Sequence, residues 1–386
     1  LKINWSVIRL LYESIEKLLP KIKLSSICKC YFCNRITNTY AMKGVLLVNL
    51  GSPESPTAKD VKPYLDEFLM DERVIDAPKW LRTILVRGII LQTRPKKSAE
   101  AYAKIWWEEG SPLVVISERF SNKLKTQTEM PVALGMRYGT MSIKKAMQEL
   151  KEKGVDDVLL VPLYPHYAMS SFETVVVKVL EEQKAGFPEM KITTLPAFYK
   201  HPEFIKALSE SIKDGLEGFD YDHILFSYHG IPERHIRKSD PTSFHCKIDG
   251  TCCNVNSVAH NTCYRHQVYD TTEMVKAYLG LKEEQVSSSF QSRLAGDPWL
   301  KPYTDYEFER LAKEGKKKLA VITPAFVSDC LETLEEIAME GKEQFIEAGG
   351  EEYKHIPCMN DNDTWVKVMA KWVNDWQTTD KLDVVP

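Results

Sequence analysis

Residues 44–50 read Gly-Val-Leu-Leu-Val-Asn-Leu and stop at Gly51-Ser52-Pro53. A short apolar run without polar alternation is a strand buried on both faces, the kind parallel sheets are built from. The pattern constrains the whole chain because it recurs. VALGM (132–136) and DVLLVPLYP (157–165) follow it, and HILFSYH (223–229), the run near 286–290 and KLAVIT (318–323) restart the cycle. Helical periods separate these runs. Thr57 and Asp60 resemble a capping box before a helix to about Met70. Ile143, Ala146, Met147 and Leu150 mark one face of a second helix, and Phe204, Ala207, Leu208, Ser211 and Ile212 mark another, opened by His201-Pro202. A last helix near 361–378 carries Trp365, Val368, Met369 and Trp372. Strands alternating with helices predict an α/β protein of two similar halves meeting at a cleft, with the boundary near 216–221.

The 386 residues suffice for two domains of ordinary size, and 44% apolar with 27% charged residues is a globular composition. A net charge of −3 gives no basic surface for nucleic acid. No apolar run approaches the roughly 20 residues that span a bilayer. Nine cysteines, an odd count with no secretory signal, argue against a disulfide framework. Residues 1–41 differ from the rest, and Met42 directly precedes the first strong strand. That segment reads as an upstream extension or flexible tail. Cys28, Cys30 and Cys33 within it are a weak zinc signal without a fourth ligand.

In open α/β sheets ligands bind outside the carboxyl ends of the strands. His229 ends one strand, and Gly230 and Pro232 then turn the chain tightly. A strand-end histidine is often structural, but imidazole in such a place can also accept a proton near neutral pH. Asp329, Glu332 and Glu336 follow the last strand at i, i+3 and i+7, which puts them on one face of an α-helix. The macrodipole alone favours acids at a helix start. Carboxylates there also suit a divalent metal and proton relay. Residues 68–92 mix Trp80, Leu81, Ile84, Ile89 and other apolar residues with Arg73, Arg82 and Arg87. They form either a core helix or an exposed amphipathic lip that touches a membrane or a flat apolar ligand. Cys246, Cys252, Cys253 and Cys263 crowd a polar loop, where four thiols suit a [2Fe–2S] cluster, with zinc or no metal as alternatives.

Several stretches together resemble ferrochelatase, the enzyme family that inserts Fe²⁺ into a porphyrin. They are LLVNLGSPES (46–55), Tyr102 with GSPL (110–113), GMRYG (135–139), LYPHYAMSS (163–171), SYHGIPER (227–234), FQSRLAGDPWLKPYTD (290–305) and PAFVSDCLETLEE (324–336). The resemblance spans roughly 44–376. It implies the chelatase fold: two Rossmann-like domains, each a parallel four-stranded sheet flanked by helices, around a porphyrin cleft. The domains would be 42–218 and 219–359, with a cysteine-rich insertion at 241–263 and the 360–378 helix joining the first. It assigns His229 and Glu332 to metal and proton chemistry, with Asp329 and Glu336 lining an acidic path. Arg94, Tyr102, Ser111 and Ser292 would lie near the porphyrin edge and its carboxylates. Arg137, Tyr138, Tyr164 and Trp299 would shape the pocket wall.

Two departures from the family pattern stand out. Cys330 replaces the histidine that many members place beside the metal-path aspartate. The cysteine segment is an insertion relative to the shortest members, and some bacterial ferrochelatases carry an internal four-cysteine cluster of this kind. Protoporphyrin IX is the substrate the resemblance implies, with coproporphyrin III as the alternative. The expected location is the cytoplasm, at the inner face of a membrane. Two other functions are alternatives: a sirohydrochlorin or cobalt chelatase, which shares the two-domain architecture, and a non-catalytic heme or metal carrier, which would bind porphyrin without metal turnover.

Overall fold

The structure is a computed structural model that describes residues 41–294 and 297–382. The readings of residues 1–41 as an extension, and of Cys28, Cys30 and Cys33 as ligands, lie outside the described residues.

Each buried apolar run forms a strand. The first sheet contains β1 (Lys43–Gly51), β2 (Val132–Tyr138), β3 (Asp157–Pro162) and β4 (Lys191–Thr194), in the order β2-β1-β3-β4. The second contains β5 (His223–His229), β6 (Val286–Gln291), β7 (Lys318–Ile322) and β8 (Glu352–His355), in the order β6-β5-β7-β8. All pairings are parallel, and the two orders are the same. Such sheets bury both faces under helices, which is why Val45 to Val48 and Ile224 to Phe226 are fully buried. The edge strands β4 and β8 are short and half-exposed, so they carry no apolar run that sequence periodicity could detect.

Twelve α-helices are described: α1 (Ala58–Leu69), α2 (Lys79–Thr83), α3 (Leu91–Ile105), α4 (Pro112–Lys125), α5 (Ile143–Glu152), α6 (Thr174–Gly186), α7 (Pro202–Leu216), α8 (Glu233–Lys238), α9 (Tyr264–Leu279), α10 (Thr304–Lys313), α11 (Gly341–Glu347) and α12 (Asp363–Thr379). The face predicted for α5 is the buried one. Thr57 caps α1 through the Asp60 amide at 3.4 Å, but Ser55, not the Thr57 backbone, donates to the Asp60 carboxylate at 2.6 Å. Three segments wind as π-helices: Ile84–Ile90, Met169–Glu173 and Glu332–Glu340.

The chain returns at its end. Asn362 caps α12 by accepting from the Trp365 amide at 2.7 Å. Trp365 is fully buried against Phe120 of α4 and Phe204 of α7, with ring centroids 5.9 and 5.8 Å away. Lys43 at the start of β1 donates to the carbonyls of Trp376 and Gln377, where the helix leaves acceptors open. The last helix is thus fastened to the strand that opens the fold. Trp365→Ala is expected to cost about 3–5 kcal/mol by opening a cavity between α4, α7 and α12. Urea unfolding measures it, and a loss under 1 kcal/mol would refute this account of the packing.

Candidate active site

Both sheets reverse direction at their first strand. From β5 the chain goes to β6 on one side and later to β7 on the other, so the carboxyl end of β5 is a topological switch point. His229 stands there. Its Nδ1 lies 2.7 Å from the Gly230 carbonyl oxygen. A carbonyl only accepts, so Nδ1 carries a hydrogen and Nε2 is the ring nitrogen left to face a ligand. Phe326 flanks the imidazole edge-on at 6.2 Å.

The strand ends bring His229 and the acidic segment together. His229 is in register with Gln291, and the Gly230 amide donates to the Gln291 carbonyl at 2.8 Å. The Gln291 side chain in turn donates to the Glu332 carbonyl at 3.4 Å. Ser292 follows in a left-handed conformation (φ 65°), which is costly for a residue with a Cβ. It donates to Glu336 from its amide at 2.8 Å and from its hydroxyl to the second carboxylate oxygen. Burial pushes the Glu336 carboxyl up to about 7, the Ser292 bonds oppose that shift, and the charge of Glu332 adds to it.

Asp329 does not join this row. The expectation that Asp329, Glu332 and Glu336 share a face assumed α-helical winding, whereas the segment is a π-helix that starts at Glu332. The π-helix begins after Asp329 and carries Glu332, Glu336 and Glu340 at spacings of four. Asp329 lies before the helix, buried, and accepts from Thr333 at 2.8 Å and from Asn360 at 2.7 Å. Cys330 is buried beside Glu332. Burial, and then the Glu332 charge, hold its thiol well above the usual range.

Tyrosines from the first half face Glu332. Tyr64, Tyr102 and Tyr164 are held protonated by burial, and the charge of Glu332 contributes to each shift. The Tyr164 hydroxyl is buried without a partner. Tyr102 packs edge-on to Tyr64 at 6.4 Å. Arg137 and Tyr138 turn instead to Asp71, at 2.5 and 2.9 Å, and Arg137 also donates to Thr174 at 2.8 Å. Burial works to raise the Asp71 carboxyl, but the Thr174 bond, the Arg73 amide and the Arg137 charge hold it below its usual range. Trp299 is buried beside Gly230, where an added Cβ would meet its ring at 3.3 Å. Ser111 is buried at the start of α4, and Arg94 is exposed on α3. Tyr64, Gln291 and Glu340 escaped the sequence reading. Of these, Glu340 alone had a usable signal, its spacing of four from Glu336.

Cys246, Cys252, Cys253 and Cys263 line one small cavity with Asp240, His245 and His260. The Lys247 amide points at the Cys252 sulfur at 3.5 Å. Amides of His266 and Arg265 face Cys263, and the Arg265 charge acts on both Cys263 and Cys253. Burial raises the thiols, Cys246 to about 11 and Cys253 to about 12. Among the described residues, no three His, Cys, Asp or Glu side chains converge as ligands on one metal ion. Near the cleft, Trp80 and Ile89 are 67% and 60% exposed and Ile84 56%, an uncovered apolar row along α2 and the π-helix after it. No described helix is long and apolar enough to cross a membrane.

Two parallel sheets with this strand order define the chelatase fold. The Bacillus subtilis SirB structure with Fe3+ superposes with a TM-score of 0.51 at 11% identity, covering 89% of this chain and all of that one. The family model named Ferrochelatase matches residues 42–376. A ferrochelatase of Opitutus terrae is 50% identical over 337 residues, covering 86% of this chain and 97% of the relative. One from Pseudomonas syringae pv. tomato is 47% identical over 328 residues, 85% and 96% of the two chains. The chain belongs to the ferrochelatase family, enzymes of heme biosynthesis that insert iron into a porphyrin.

The Glu336 carboxyl yields a sign-definite expectation. Its folded pKa of about 7 lies above the usual glutamate range, so the native state binds this proton more tightly than the unfolded chain. The associated stability is complete below about pH 4 and is lost as pH rises through about 7. Glu336→Gln should flatten that part of the curve, so the variant gains on the wild type as pH goes from 5 to 8. Melting temperatures across that range decide it, and parallel curves for the two proteins would refute it.

Proposed function

We propose that the protein works as a ferrochelatase: it inserts Fe²⁺ into protoporphyrin IX, releases two protons and yields protoheme. The observation that carries the site assignment is the junction at Gln291, which ties the strand end bearing His229 to the π-helix bearing Glu332. A flat porphyrin keeps two pyrrole hydrogens in the metal's way. Bending the ring exposes nitrogen lone pairs, and binding energy from the rest of the macrocycle supplies the strain. His229 accepts pyrrole protons at Nε2. Glu332 holds the incoming Fe²⁺, since carboxylate oxygen suits a hard divalent ion. Glu336 passes protons outward, a role favoured by a carboxyl that titrates near neutrality.

The supporting residues divide by what they touch. Tyr102, Tyr164, Trp299 and Ser292 line the porphyrin site, with Ser111 and Arg94 toward its carboxylates. Arg137 and Tyr138 brace the wall through Asp71. Asp329 acts by holding the entry to the π-helix through Thr333 and Asn360. The two sheets serve as two domains, 42–218 and 219–359, with 241–263 inserted in the second and 360–378 returning to the first. The exposed row of Trp80, Ile84 and Ile89 supports reading 68–92 as a lip that touches a membrane, with the enzyme in the cytoplasm at the inner face of that membrane.

If the protein carries a [2Fe–2S] cluster, Cys246, Cys252, Cys253 and Cys263 would hold it, with zinc as the alternative. Sulfurs around one cavity, amides aimed at two of them and the Arg265 charge all favour a group that carries negative charge. Such a cluster supplies a one-electron centre, and no step of iron insertion is routed through it. Burial raises the Cys246, Cys253 and Cys263 thiols, so loading would have to expel their protons.

His229→Ala and Glu332→Gln should each lower anaerobic Fe²⁺ insertion by about 10²-fold or more. Near-normal turnover in both would sink the assignment. Running protoporphyrin IX and coproporphyrin III side by side settles the substrate, and a higher kcat/KM on coproporphyrin III would overturn that choice. A carrier would bind porphyrin without metalating it. Anaerobically purified protein should show thiolate-to-iron absorption that Cys252→Ser removes. A colourless, zinc-containing preparation would reverse the choice of metal.

A further inference from the structure

After β8 the chain comes back to the acidic segment. Asn360, in the connection to α12, meets residues 327–329 at three points. Its backbone amide donates to the Val327 carbonyl at 2.8 Å. Its side-chain oxygen accepts from the Asp329 amide at 2.8 Å, and its side-chain nitrogen donates to the Asp329 carboxylate at 2.7 Å. The side-chain amide thus pairs as the peptide of a neighbouring strand would, beyond the point where β7 ends at Ile322. Asn360 does this from a left-handed backbone (φ 53°), which asparagine tolerates better than most residues with a Cβ.

The second oxygen of Asp329 accepts from the Thr333 hydroxyl at 2.8 Å, and that hydroxyl oxygen accepts from the Cys330 amide at 3.0 Å. One line of bonds therefore runs from Asn360 through Asp329 into the first turn of the π-helix. Glu332 lies inside it, between Cys330 and Thr333. The donors that reach Asp329 are neutral: the Asn360 amide, the Thr333 hydroxyl and, at 3.4 Å, the Cys358 amide.

The same connection is fastened to the first half of the chain. Lys123 of α4 donates to the Asp361 carbonyl at 2.6 Å and pairs with the Asp361 and Asp363 carboxylates at 3.1 and 3.0 Å. Tyr64, Tyr102 and Tyr164, the phenols on which Glu332 acts, belong to that half as well. The residue that grips the entry of the π-helix is thus anchored to the half that supplies the opposite wall of the site.

We propose that Asn360 is a positioning residue for Glu332. It fixes the entry of the π-helix relative to the first half, and with it the place of the carboxylate that takes Fe²⁺. The proposal deepens the reading of Glu332 as the iron-holding residue and rests on it.

The test compares two variants of the full chain. Asn360→Gly accepts the left-handed backbone and keeps the bond to Val327 but loses both side-chain bonds. Asn360→Asp keeps the acceptor and turns the donor into a second carboxylate against Asp329. KM for Fe²⁺ in anaerobic insertion should rise about tenfold or more in Asn360→Gly, as for groups that orient a metal ligand from behind. Protoporphyrin IX affinity, read from fluorescence quenching, should stay at the wild-type value. Asn360→Gly should add little to the loss in Glu332→Gln, because both act through one carboxylate. Two carboxylates in contact take up a proton, which restores a donor between them, so the activity of Asn360→Asp relative to wild type should climb from about pH 8 to about pH 6. The other titratable groups against Asp329, His355 at the end of β8 and Cys358, are common to both proteins and cancel in that ratio. Wild-type KM for Fe²⁺ in Asn360→Gly, an equal loss of porphyrin affinity, or losses additive with Glu332→Gln would overturn the proposal. If Asn360→Gly does not fold, the pH ratio of Asn360→Asp decides, and a flat ratio overturns it. Wild-type turnover in Glu332→Gln would instead overturn the reading of Glu332.

Discussion

The cleft depends on how the backbone leaves β5 and β6. At that point the Gly230 amide meets the Gln291 carbonyl, and a Cβ on residue 230 would stand 2.6 Å from that same oxygen. Only glycine allows the approach. One residue on, Ser292 accepts a left-handed backbone, and its two bonds to Glu336 offset the strain. A strand that ended more ordinarily would place neither the imidazole nor the carboxylates. The strained residues lie at the working end of the sheet, while the strands behind them are regular and buried.

Electrostatics then decide what this geometry can bind. Glu332 has tyrosines on one side, a neutral thiol on the other and Glu336 along the helix. No described lysine or arginine is ion-paired to Glu332 or Glu336. The nearby cations serve elsewhere: Lys104 pairs with Glu335 at 2.5 Å, and Arg137 with Asp71. Two close carboxylates without a counter-ion share a proton or take up a cation. In the proposed mechanism an arriving divalent metal would release that proton, so metal entry and proton exit would be two readings of one charge balance. Cys330 fits the same logic. Where a histidine would add a second titrating nitrogen, a buried thiol stays neutral and leaves the exchange to the carboxylates.

The central strands and the buried helix faces were legible in the sequence because burial on both sides of a parallel sheet leaves unbroken apolar runs. His229 was legible for the same reason, as the polar end of such a run. Edge strands β4 and β8 were not, since half-exposed strands of four residues have too few positions for a pattern. The π-helix was invisible to a method that assumes 3.6 residues per turn. That assumption misplaced Asp329, which lies before the helix and whose carboxylate accepts from the Thr333 and Asn360 side chains. Tyr102 and Glu332 lie 230 positions apart in sequence, and their proximity is a product of the fold alone.

Why a π-helix should occupy this place follows from the carboxylates it carries. An α-helix brings residues three and four apart together and rotates a row spaced by four steadily round its axis. The π-helix carries Glu332, Glu336 and Glu340 at spacings of four over nine residues. Its poorer backbone bonding is compensated from outside, by Tyr353 donating to the Ile337 carbonyl at 2.6 Å and by Ser292 at Glu336. The inner carboxylate, Glu332, acts on the buried phenols of Tyr64, Tyr102 and Tyr164, and the outermost, Glu340, is exposed, so the row runs from the buried site to solvent, as the proposed proton path requires.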